Sequence, residues 1–224
     1  MAVTARAELE SLLRSRKLDI TLTSAGPWSD RSRDVAPTGM AALDAALGGG
    51  LARGHLSEIV GPRSSGRTTI VSRMLAAAAE RGEAVAVIDA CDRFDPAAAE
   101  AAGIDLSKLL WVRDTGDATR ALKALNLVLQ AGGFGLVAFD VAEVHARVLR
   151  QFPYTTWMRI ARVIEGSQTS AVLVATDHLA RSPGGVTIAL DGEPGVPRGQ
   201  WSGTTDRARW LRGIDVRPRV VGGR

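Results

Sequence analysis

Residues 61–69 have the sequence Gly-Pro-Arg-Ser-Ser-Gly-Arg-Thr-Thr, and this stretch decides the fold. The pattern is that of a phosphate-binding P-loop, in which backbone N–H groups of a glycine-rich turn wrap around the phosphates of a nucleotide. In such loops a lysine reaches the β- and γ-phosphates, and the following Ser or Thr holds Mg²⁺. Every defining position is present except the lysine, because Arg67 stands in its place. The predicted nucleotide-binding residues are Gly61, Pro62, Arg63, Ser64, Ser65, Gly66, Arg67, Thr68 and Thr69.

The flanking sequence has the order that a P-loop requires. The run His55–Val60 predicts a strand before the loop, and the alanine-rich stretch Thr69–Arg81 predicts a helix after it. This order places the loop amides and the positive end of the helix dipole at one point, where an anion binds. Arginine leaves a second interpretation open, because its planar guanidinium does not reach a phosphate oxygen as a compact ammonium does. The loop either binds a nucleotide phosphate or has kept its shape and lost its ligand.

The composition is that of an ordinary globular protein. The 224 residues, 46% hydrophobic and 23% charged, suit one domain of ordinary size or one domain with an attached arm. No apolar run reaches the roughly 20 residues that a membrane helix needs, and the N-terminus shows no secretory pattern, so we expect a cytoplasmic protein without membrane contact. A single cysteine, Cys91, excludes an intrachain disulfide and a cysteine-based zinc cluster.

The sequence of the first 35 residues predicts an arm rather than part of the folded core. Leucines at helical spacing between Ala7 and Lys17 indicate a short amphipathic helix, and a strand at Asp19–Thr23 and a breaker-rich linker follow it. We expect residues 36–224 to form the core. Its last part, the basic segment 181–224, carries eight Arg against four acidic residues. Such a segment binds nucleic acid or an acidic partner, or is a solvated surface in an arginine-rich chain.

Alternating strand and helix patterns predict an α/β fold. Three apolar runs with an acid at or near the end indicate buried strands of a parallel sheet: Ala84–Asp89, Gly135–Asp140 and Ser170–Asp177. Helical patterns at Thr119–Ala131 and Thr155–Gly166 separate them. We therefore expect a mostly parallel central sheet flanked by helices, with ligands at the carboxyl ends of the strands. Further strands are predicted at Val186–Leu190 and, broken by Pro218, at Leu211–Val221.

Acidic residues near the predicted strand ends are candidates for metal binding and water activation. In P-loop enzymes an acid ending a second strand helps to hold Mg²⁺, and another carboxylate polarises the attacking water. Asp140, with Thr68, fits the metal role; the alternative is an aspartate that caps the next turn. Asp89, Asp92 and Asp95 are candidates for the second role, because they follow a strand that we expect beside the P-loop strand. Spacing alone singles out none of them.

The passage from Thr38 to Thr69 resembles the core of the bacterial RecA recombinases. It contains a Leu-Asp-x-Ala-Leu-Gly helix pattern, a glycine-rich approach and the loop Gly-Pro-x-Ser-Ser-Gly-x-Thr-Thr. The likeness continues through residues 88–96 and 102–110 to the strand that ends at Asp140, and it is loose beyond that point. It implies a RecA-like P-loop core with a short N-terminal helical arm, and ATP and Mg²⁺ as cofactors.

The departures from the RecA pattern concern hydrolysis. Cys91 stands where RecA proteins carry the glutamate that activates water, and a thiol is a poor base at neutral pH. Val141 replaces a hydroxyl residue, and Thr176-Asp177 replace an Asn-Gln pair that senses the γ-phosphate, where an anionic Asp177 would repel phosphate. The loss of a catalytic base alone costs ~10²–10⁴-fold in rate. The resemblance therefore implies weak or non-hydrolytic nucleotide binding.

A small RecA-like protein with these losses resembles the ImuA family, the damage-inducible accessory factors of bacterial error-prone repair. The resemblance implies a scaffold of the SOS response that binds an ImuB-like Y-family polymerase homologue. RecA and an error-prone replicative-type polymerase are further implied partners, and the implied process is mutagenic translesion DNA synthesis. The SulA family, also reduced relatives of RecA, fits less well, because its members do not generally keep this much of the P-loop.

Two other functions stay open on the sequence. A slow ATPase acting on single-stranded DNA would use Asp92 or Glu58 in place of the missing glutamate. A basic DNA-binding module would contact DNA or a partner through Arg207, Arg209, Trp210, Arg212, Arg217 and Arg219. Trp201 and Trp210 would then stack on bases, although tryptophan is equally typical of a core or of a protein interface.

Overall fold

The structure, a computed structural model, describes residues 34–180, 184–190, 199–205 and 207–221. The predicted N-terminal arm lies outside these residues except for its last two positions, so its helix, strand and linker stay predictions. Parts of the basic segment also lie outside them.

A seven-stranded sheet forms the centre of the described residues, with the strand order β11-β8-β3-β7-β6-β4-β5. Every neighbouring pair is parallel except β11 with β8. This arrangement confirms the predicted mostly parallel α/β sheet. Counted along the chain, the strands are β1 Val35–Ala36, β2 Leu51–Ala52, β3 Leu56–Val60, β4 Ala84–Asp89, β5 Leu109–Arg113, β6 Phe134–Asp140, β7 Ser170–Ala175, β8 Thr187–Ala189, β9 Gly199–Ser202, β10 Trp210–Ile214 and β11 Arg219–Val221.

Two of the longer helices have clear start signals in the sequence. The Asp117 carboxylate accepts the N–H groups of Thr119 and Arg120 at 3.0 Å where α4 begins, and Gly132 follows its last residue. Pro153 precedes α6, where its missing N–H costs no hydrogen bond. The helices of the described residues are α1 Ala41–Leu47, α2 Arg67–Glu80, α3 Pro96–Ala101, α4 Ala118–Ala131, α5 Ala146–Leu149 and α6 Tyr154–Ile164.

The two faces of the sheet are covered by different helices. Val85 and Val87 of β4 belong to a buried cluster with α1, α2 and α3, whereas Ala86 and Ile88 belong to a second cluster with α4, α5 and α6. Successive side chains of a strand point to opposite faces, so both kinds of position must be apolar here. This double coverage explains the continuous apolar runs in the sequence.

The order of strands corrects one expectation. We expected β4 beside the P-loop strand β3, but β6 and β7 lie between them. The register places Asp89 of β4 directly opposite Asp140 of β6. A run of apolar residues predicts a buried strand but does not show which strands lie beside it. The helix that connects two strands can cross over an intervening strand, so the order of strands along the chain differs from their order in the sheet.

The predicted C-terminal strand Leu211–Val221 is two strands. Trp210–Ile214 pairs with β9 in a separate antiparallel hairpin, and Arg219–Val221 pairs with β8 at the edge of the main sheet. Pro218 immediately precedes the second strand, a position where its missing donor is tolerated. Within the described residues, no helix has the length and apolar character needed to cross a membrane.

Candidate functional site

The P-loop connects β3 to α2 through a turn that requires glycine. Gly66 caps α2 with a φ of 97°, in the left-handed region. A Cβ atom at Gly66 would lie 2.5 Å from Cγ2 of Val216, a residue between β10 and β11. The glycine therefore permits both the backbone turn and the close packing of the C-terminal segment on the loop.

Arg67 uses its side chain within the protein. Its Nη1 donates hydrogen bonds to the carbonyl oxygens of Gly61 at 2.6 Å and Ala175 at 3.2 Å. These carbonyls stand at the carboxyl ends of the neighbouring strands β3 and β7, and the arginine is buried. Arg67 therefore ties two strand ends together from the position of the P-loop lysine.

Glu143 pairs with both arginines of the loop. One carboxylate oxygen lies 2.9 Å from Nη2 of Arg63, and the other lies 3.8 Å from Nη2 of Arg67. Glu143 stands three residues after Asp140, in the turn that follows β6. The sequence carries no signal for Glu143 other than its place just after Asp140.

A cavity of about 310 Å³ adjoins these side chains at the carboxyl edge of the sheet. Thr68 and Asp140, the predicted Mg²⁺ residues, both line it and so do come together. No cluster of three His, Cys, Asp or Glu side chains that could hold a metal occurs in the described part of the chain. A magnesium ion there would need phosphate or water oxygens as well. The charged lining residues are Arg63, Arg67, Arg93, Asp89, Asp140 and Glu143.

The site disfavours negative charge on Asp140 and Cys91. Burial raises the pKa of the Asp140 carboxyl, the N–H of Ala142 at 2.9 Å lowers it, and the charge of Asp89 raises it again. The pKa of the Cys91 thiol is also raised, first by burial and then by the charges of Asp89 and Asp140. A thiol with a raised pKa stays protonated at neutral pH, so Cys91 does not replace the missing base.

The three aspartates proposed as water-activating groups have separate roles. Asp89 is buried and accepts the N–H groups of Cys91 at 3.2 Å and Phe94 at 2.7 Å. Asp92 accepts two hydrogen bonds of 2.8 Å from Arg113. Asp95 caps α3. Only Asp89 of the three lines the cavity with Thr68 and Asp140.

Glu58, the other proposed substitute, is a structural carboxylate. It is buried within β3, where one oxygen accepts the N–H groups of Leu179, at 2.8 Å, and Ala180. Its second oxygen accepts the hydroxyl of Thr187 at 3.3 Å. These bonds attach β3 to the segment after β7 and to β8, and Glu58 does not line the cavity.

Asp177 lies on a different side of the P-loop. It lines a second cavity of about 590 Å³ together with Gly61, Pro62 and Arg63. Asp177 is not among the residues that line the cavity of Thr68 and Asp140. The predicted repulsion of phosphate by Asp177 therefore does not arise from a direct contact in that cavity.

The predicted cluster of basic residues is divided in the structure. On the β9–β10 hairpin, Cζ of Arg209 lies 5.3 Å from the centroid of the Trp201 ring, and Cζ of Arg212 lies 5.9 Å from the centroid of the Trp210 ring. Both tryptophans are about half exposed. Arg207 is exposed in the loop of the same hairpin. The other two members lie after the hairpin: Arg217 forms an ion pair with Asp215, and Arg219 lines the second cavity.

The fold and the loop define a class: an α/β protein with a P-loop and a charged cavity at the carboxyl edge of its sheet. The chain belongs to the RecA N-terminal domain family, whose model matches residues 20–150.

The similar proteins agree with this family. Protein RecA of Methylococcus capsulatus is 44% identical over 112 residues, which are 49% of this chain and 32% of that protein. Protein RecA of Symbiobacterium thermophilum is 42% identical over 109 residues, 48% of this chain and 31% of that protein. Each match therefore spans about a third of the relative's length. The crystal structure of the RadB recombinase matches with a TM-score of 0.54 at 17% identity, over 73% of this chain and 86% of that one, which shows a shared fold.

Proposed function

We propose that this chain is a RecA-like accessory protein of the DNA-damage (SOS) response that acts through protein partners rather than through rapid ATP turnover. The observation that carries the proposal is the geometry of Arg67. In a P-loop enzyme the cation at this position must be available to the transferred phosphate. Here its Nη1 donates to the carbonyls of Gly61 and Ala175.

The environments of the candidate bases among the described residues support the same proposal. Cys91 has a raised pKa, Asp92 is paired with Arg113, and Glu58 is enclosed within the sheet. A slow ATPase, the main alternative, would depend on Asp89, whose oxygens already accept two backbone N–H groups. In this proposal ATP is a weakly bound structural ligand, and Thr68 and Asp140 would hold its Mg²⁺.

The proposed partners follow from the resemblance to the ImuA family. The first is an ImuB-like Y-family polymerase homologue, and RecA and an error-prone replicative-type polymerase are further partners. The process would be mutagenic translesion DNA synthesis in the cytoplasm. The support is the combination of a RecA-type core with an altered hydrolytic apparatus, which suits an adaptor better than a motor.

A titration of the purified protein tests the proposal. Mg-ATP and a non-hydrolysable analogue are titrated calorimetrically, and phosphate release is measured on the same sample. We expect no phosphate release above the buffer control from the natural chain. The variant Arg67→Lys with Cys91→Glu supplies the matched comparison, because it restores both RecA-type side chains. ATP turnover by the natural chain that Arg67→Ala abolishes would support the ATPase instead.

Copurification tests the partner separately. The chain is coexpressed with a tagged ImuB-type homologue, and a tagged catalytic Y-family polymerase serves as the control bait. Retention by the first bait alone is expected. Retention by neither bait would contradict the proposed partnership whatever the ATPase result.

A second candidate function is binding of single-stranded DNA by the β9–β10 hairpin. The favouring observation is that Trp201 and Trp210 are half exposed and that each has an arginine close to its ring. Exposed aromatic rings stack on bases, and arginines neutralise phosphates. The register puts Trp201 opposite Leu211 and Trp210 opposite Ser202, so the two rings lie on opposite faces of the hairpin. A single strand would therefore stack on one ring at a time.

Fluorescence anisotropy with labelled oligonucleotides tests this candidate. Trp201→Ala and Trp210→Ala should each weaken binding, and the affinity should fall steeply with salt. Tyr154→Ala, at another exposed aromatic residue, is the control. Binding that is absent at low salt, or equal in all variants, would remove the hairpin from consideration.

A further inference from the structure

The two arginines of the P-loop are already paired with an anion of the protein. Arg63 has a side chain that is 79% exposed, and its Nη2 lies 2.9 Å from a Glu143 oxygen. The other Glu143 oxygen faces Nη2 of the buried Arg67 at 3.8 Å. One carboxylate therefore spans from the exposed rim of the loop to its interior.

Glu143 is the less exposed member of its pair with Arg63. Its side chain is 26% exposed, so solvent screens its charge less than that of a fully exposed residue. Glu143 lines the same cavity as both arginines. A phosphate group entering the cavity would meet the same two cations, because guanidinium groups bind carboxylates and phosphates in the same manner.

The cavity is lined by equal numbers of arginines and acidic residues. Three arginines line it, at positions 63, 67 and 93, and three acidic residues line it, at positions 89, 140 and 143. Asp89 and Asp140 direct oxygens to backbone N–H groups, whereas Glu143 directs its oxygens to the loop arginines. Glu143 is thus the acid whose removal would leave the cations of the loop without their partner.

We propose that Glu143 is the resident anion of this P-loop and determines its affinity for polyphosphate, which binds by displacing the Glu143 carboxylate from Arg63 and Arg67. The inference rests on the proposed function in one respect, since both assume that the loop can still take a polyphosphate. It adds a specific residue that sets the strength of binding. A ligand with a single weak negative charge would not displace Glu143, whereas one with several charges on adjacent phosphates would.

Calorimetric titration with inorganic pyrophosphate in metal-free buffer tests the proposal. Glu143→Gln keeps the shape of the side chain and removes its charge. We expect this variant to bind pyrophosphate at least about tenfold more tightly than the natural chain, because the carboxylate that competes with the ligand for the arginines is then neutral. Glu165→Gln is the matched control, because it removes the same charge from an exposed position after α6. It should leave the affinity unchanged.

A second comparison separates competition from a structural role. If Glu143 only holds the loop in shape, Glu143→Gln would weaken binding and lower the unfolding midpoint in urea. If it competes with the ligand, adding Arg63→Ala to Glu143→Gln should remove most of the gained affinity. Equal affinity of the Glu143 variant and the natural chain, an equal gain in the Glu165 variant, or no binding by any variant would overturn the proposal. ATP turnover is not used, so a failure of the proposed function would be seen independently.

Discussion

Arg67 joins two strand ends and faces Glu143 with different nitrogens of one guanidinium group, an arrangement that a lysine, with a single nitrogen, cannot reproduce. A single nitrogen of the planar group reaches the carbonyls of Gly61 and Ala175, while a second nitrogen faces Glu143. A lysine ammonium is a compact charge on a flexible stem and is more easily redirected to a ligand. Nη1 is held by this internal contact, so a phosphate in the cavity would meet the Nη2 side of the group.

Replacement of Arg67 by lysine should therefore change stability and binding in opposite directions. We expect the free energy of unfolding to fall by about 1–3 kcal/mol, as for loss of buried hydrogen bonds from a charged group. The affinity for Mg-ATP should rise, because the ammonium can turn toward phosphate. Urea unfolding and calorimetry measure the two effects. Arg73→Lys, an exposed position on the same helix, should change neither, and an equally stable Arg67→Lys variant would contradict the assigned tie.

The thiol of Cys91 should react slowly at neutral pH. Its pKa is raised by burial and by the charges of Asp89 and Asp140, so the thiolate forms only at higher pH than in the unfolded chain. The rate of iodoacetamide modification should therefore have its midpoint at higher pH in the folded than in the guanidinium-unfolded protein. Cys91 is the single cysteine, so the modification is unambiguous. Equal midpoints would contradict the assigned environment.

At the residue scale, the sequence predicted functional residues that are marked by their neighbours in the chain. It did not predict contacts between residues that are distant in the chain and come together in the fold. The P-loop and Asp140 were predicted because glycine spacing and an acid after an apolar strand have local physical causes. The pairing of Glu143 with Arg63 depends on where the turn after β6 lies relative to the turn after β3. That relation is set by the spatial order of the strands, which no local pattern contains.

At the scale of elements, the P-loop and the C-terminal segment form a packed contact at Gly66 and Val216. A Cβ at Gly66 would lie 2.5 Å from Val216 Cγ2, and the backbone there is left-handed. Gly66→Ala should lower the free energy of unfolding by about 1–3 kcal/mol from backbone strain alone, with the clash in addition. Val216→Ala should relieve the clash but not the strain. The double variant in urea should therefore lose less stability than the two single losses added together.

Strict additivity of the two substitutions would contradict this contact. Gly82→Ala is the control for left-handed strain without a neighbour, because nothing lies within 4 Å of its added Cβ. Val216→Ala should give no recovery in combination with Gly82→Ala.

Glu58 connects β3 to the segment that follows β7. Glu58→Gln should lower the free energy of unfolding by about 1–3 kcal/mol, because an amide cannot accept all the hydrogen bonds that the carboxylate accepts. The amides of Leu179 and Ala180 should then exchange their protons faster than in the natural chain. Glu80→Gln, at an exposed position, is the control. Unchanged exchange at both amides would contradict the structural role.

The strand β5 and the helix α3 were not predicted from the sequence, for related physical reasons. The edge strand β5 has a mixed burial pattern, with Leu110 exposed and Trp111 half-buried, and its apolar run, Leu109–Val112, is only four residues long. The short helix α3 has a start signal in Asp95 and Pro96, but its six residues are too few to show a helical period of apolar residues. Both are stabilised by neighbours in the fold more than by their own composition.

At the scale of the whole molecule, stability is concentrated at the middle of the sheet. β3, β7 and β6 are each paired on both edges and buried on both faces, whereas the β9–β10 hairpin forms a separate two-stranded sheet. Native-state hydrogen exchange should find the slowest amides in β6 and β7. The hairpin amides should exchange several orders of magnitude faster, near the rate of local opening. Comparable protection of the hairpin and β7 would contradict this distribution.

The bonds of Glu58 also bear on how the nascent chain folds. The Glu58 carboxylate lies in a strand that is synthesised early. Its partners, the amide of Leu179 and the hydroxyl of Thr187, are synthesised 121 and 129 residues later. Both edges of β3 likewise pair with strands made much later, β7 and β8, so the P-loop strand cannot be completed until most of the chain has left the ribosome. Contacts between such distant residues slow folding and prolong the exposure of apolar strands. The strand that carries the P-loop is thus without partners for longer than β4, whose partners β5 and β6 follow it much sooner.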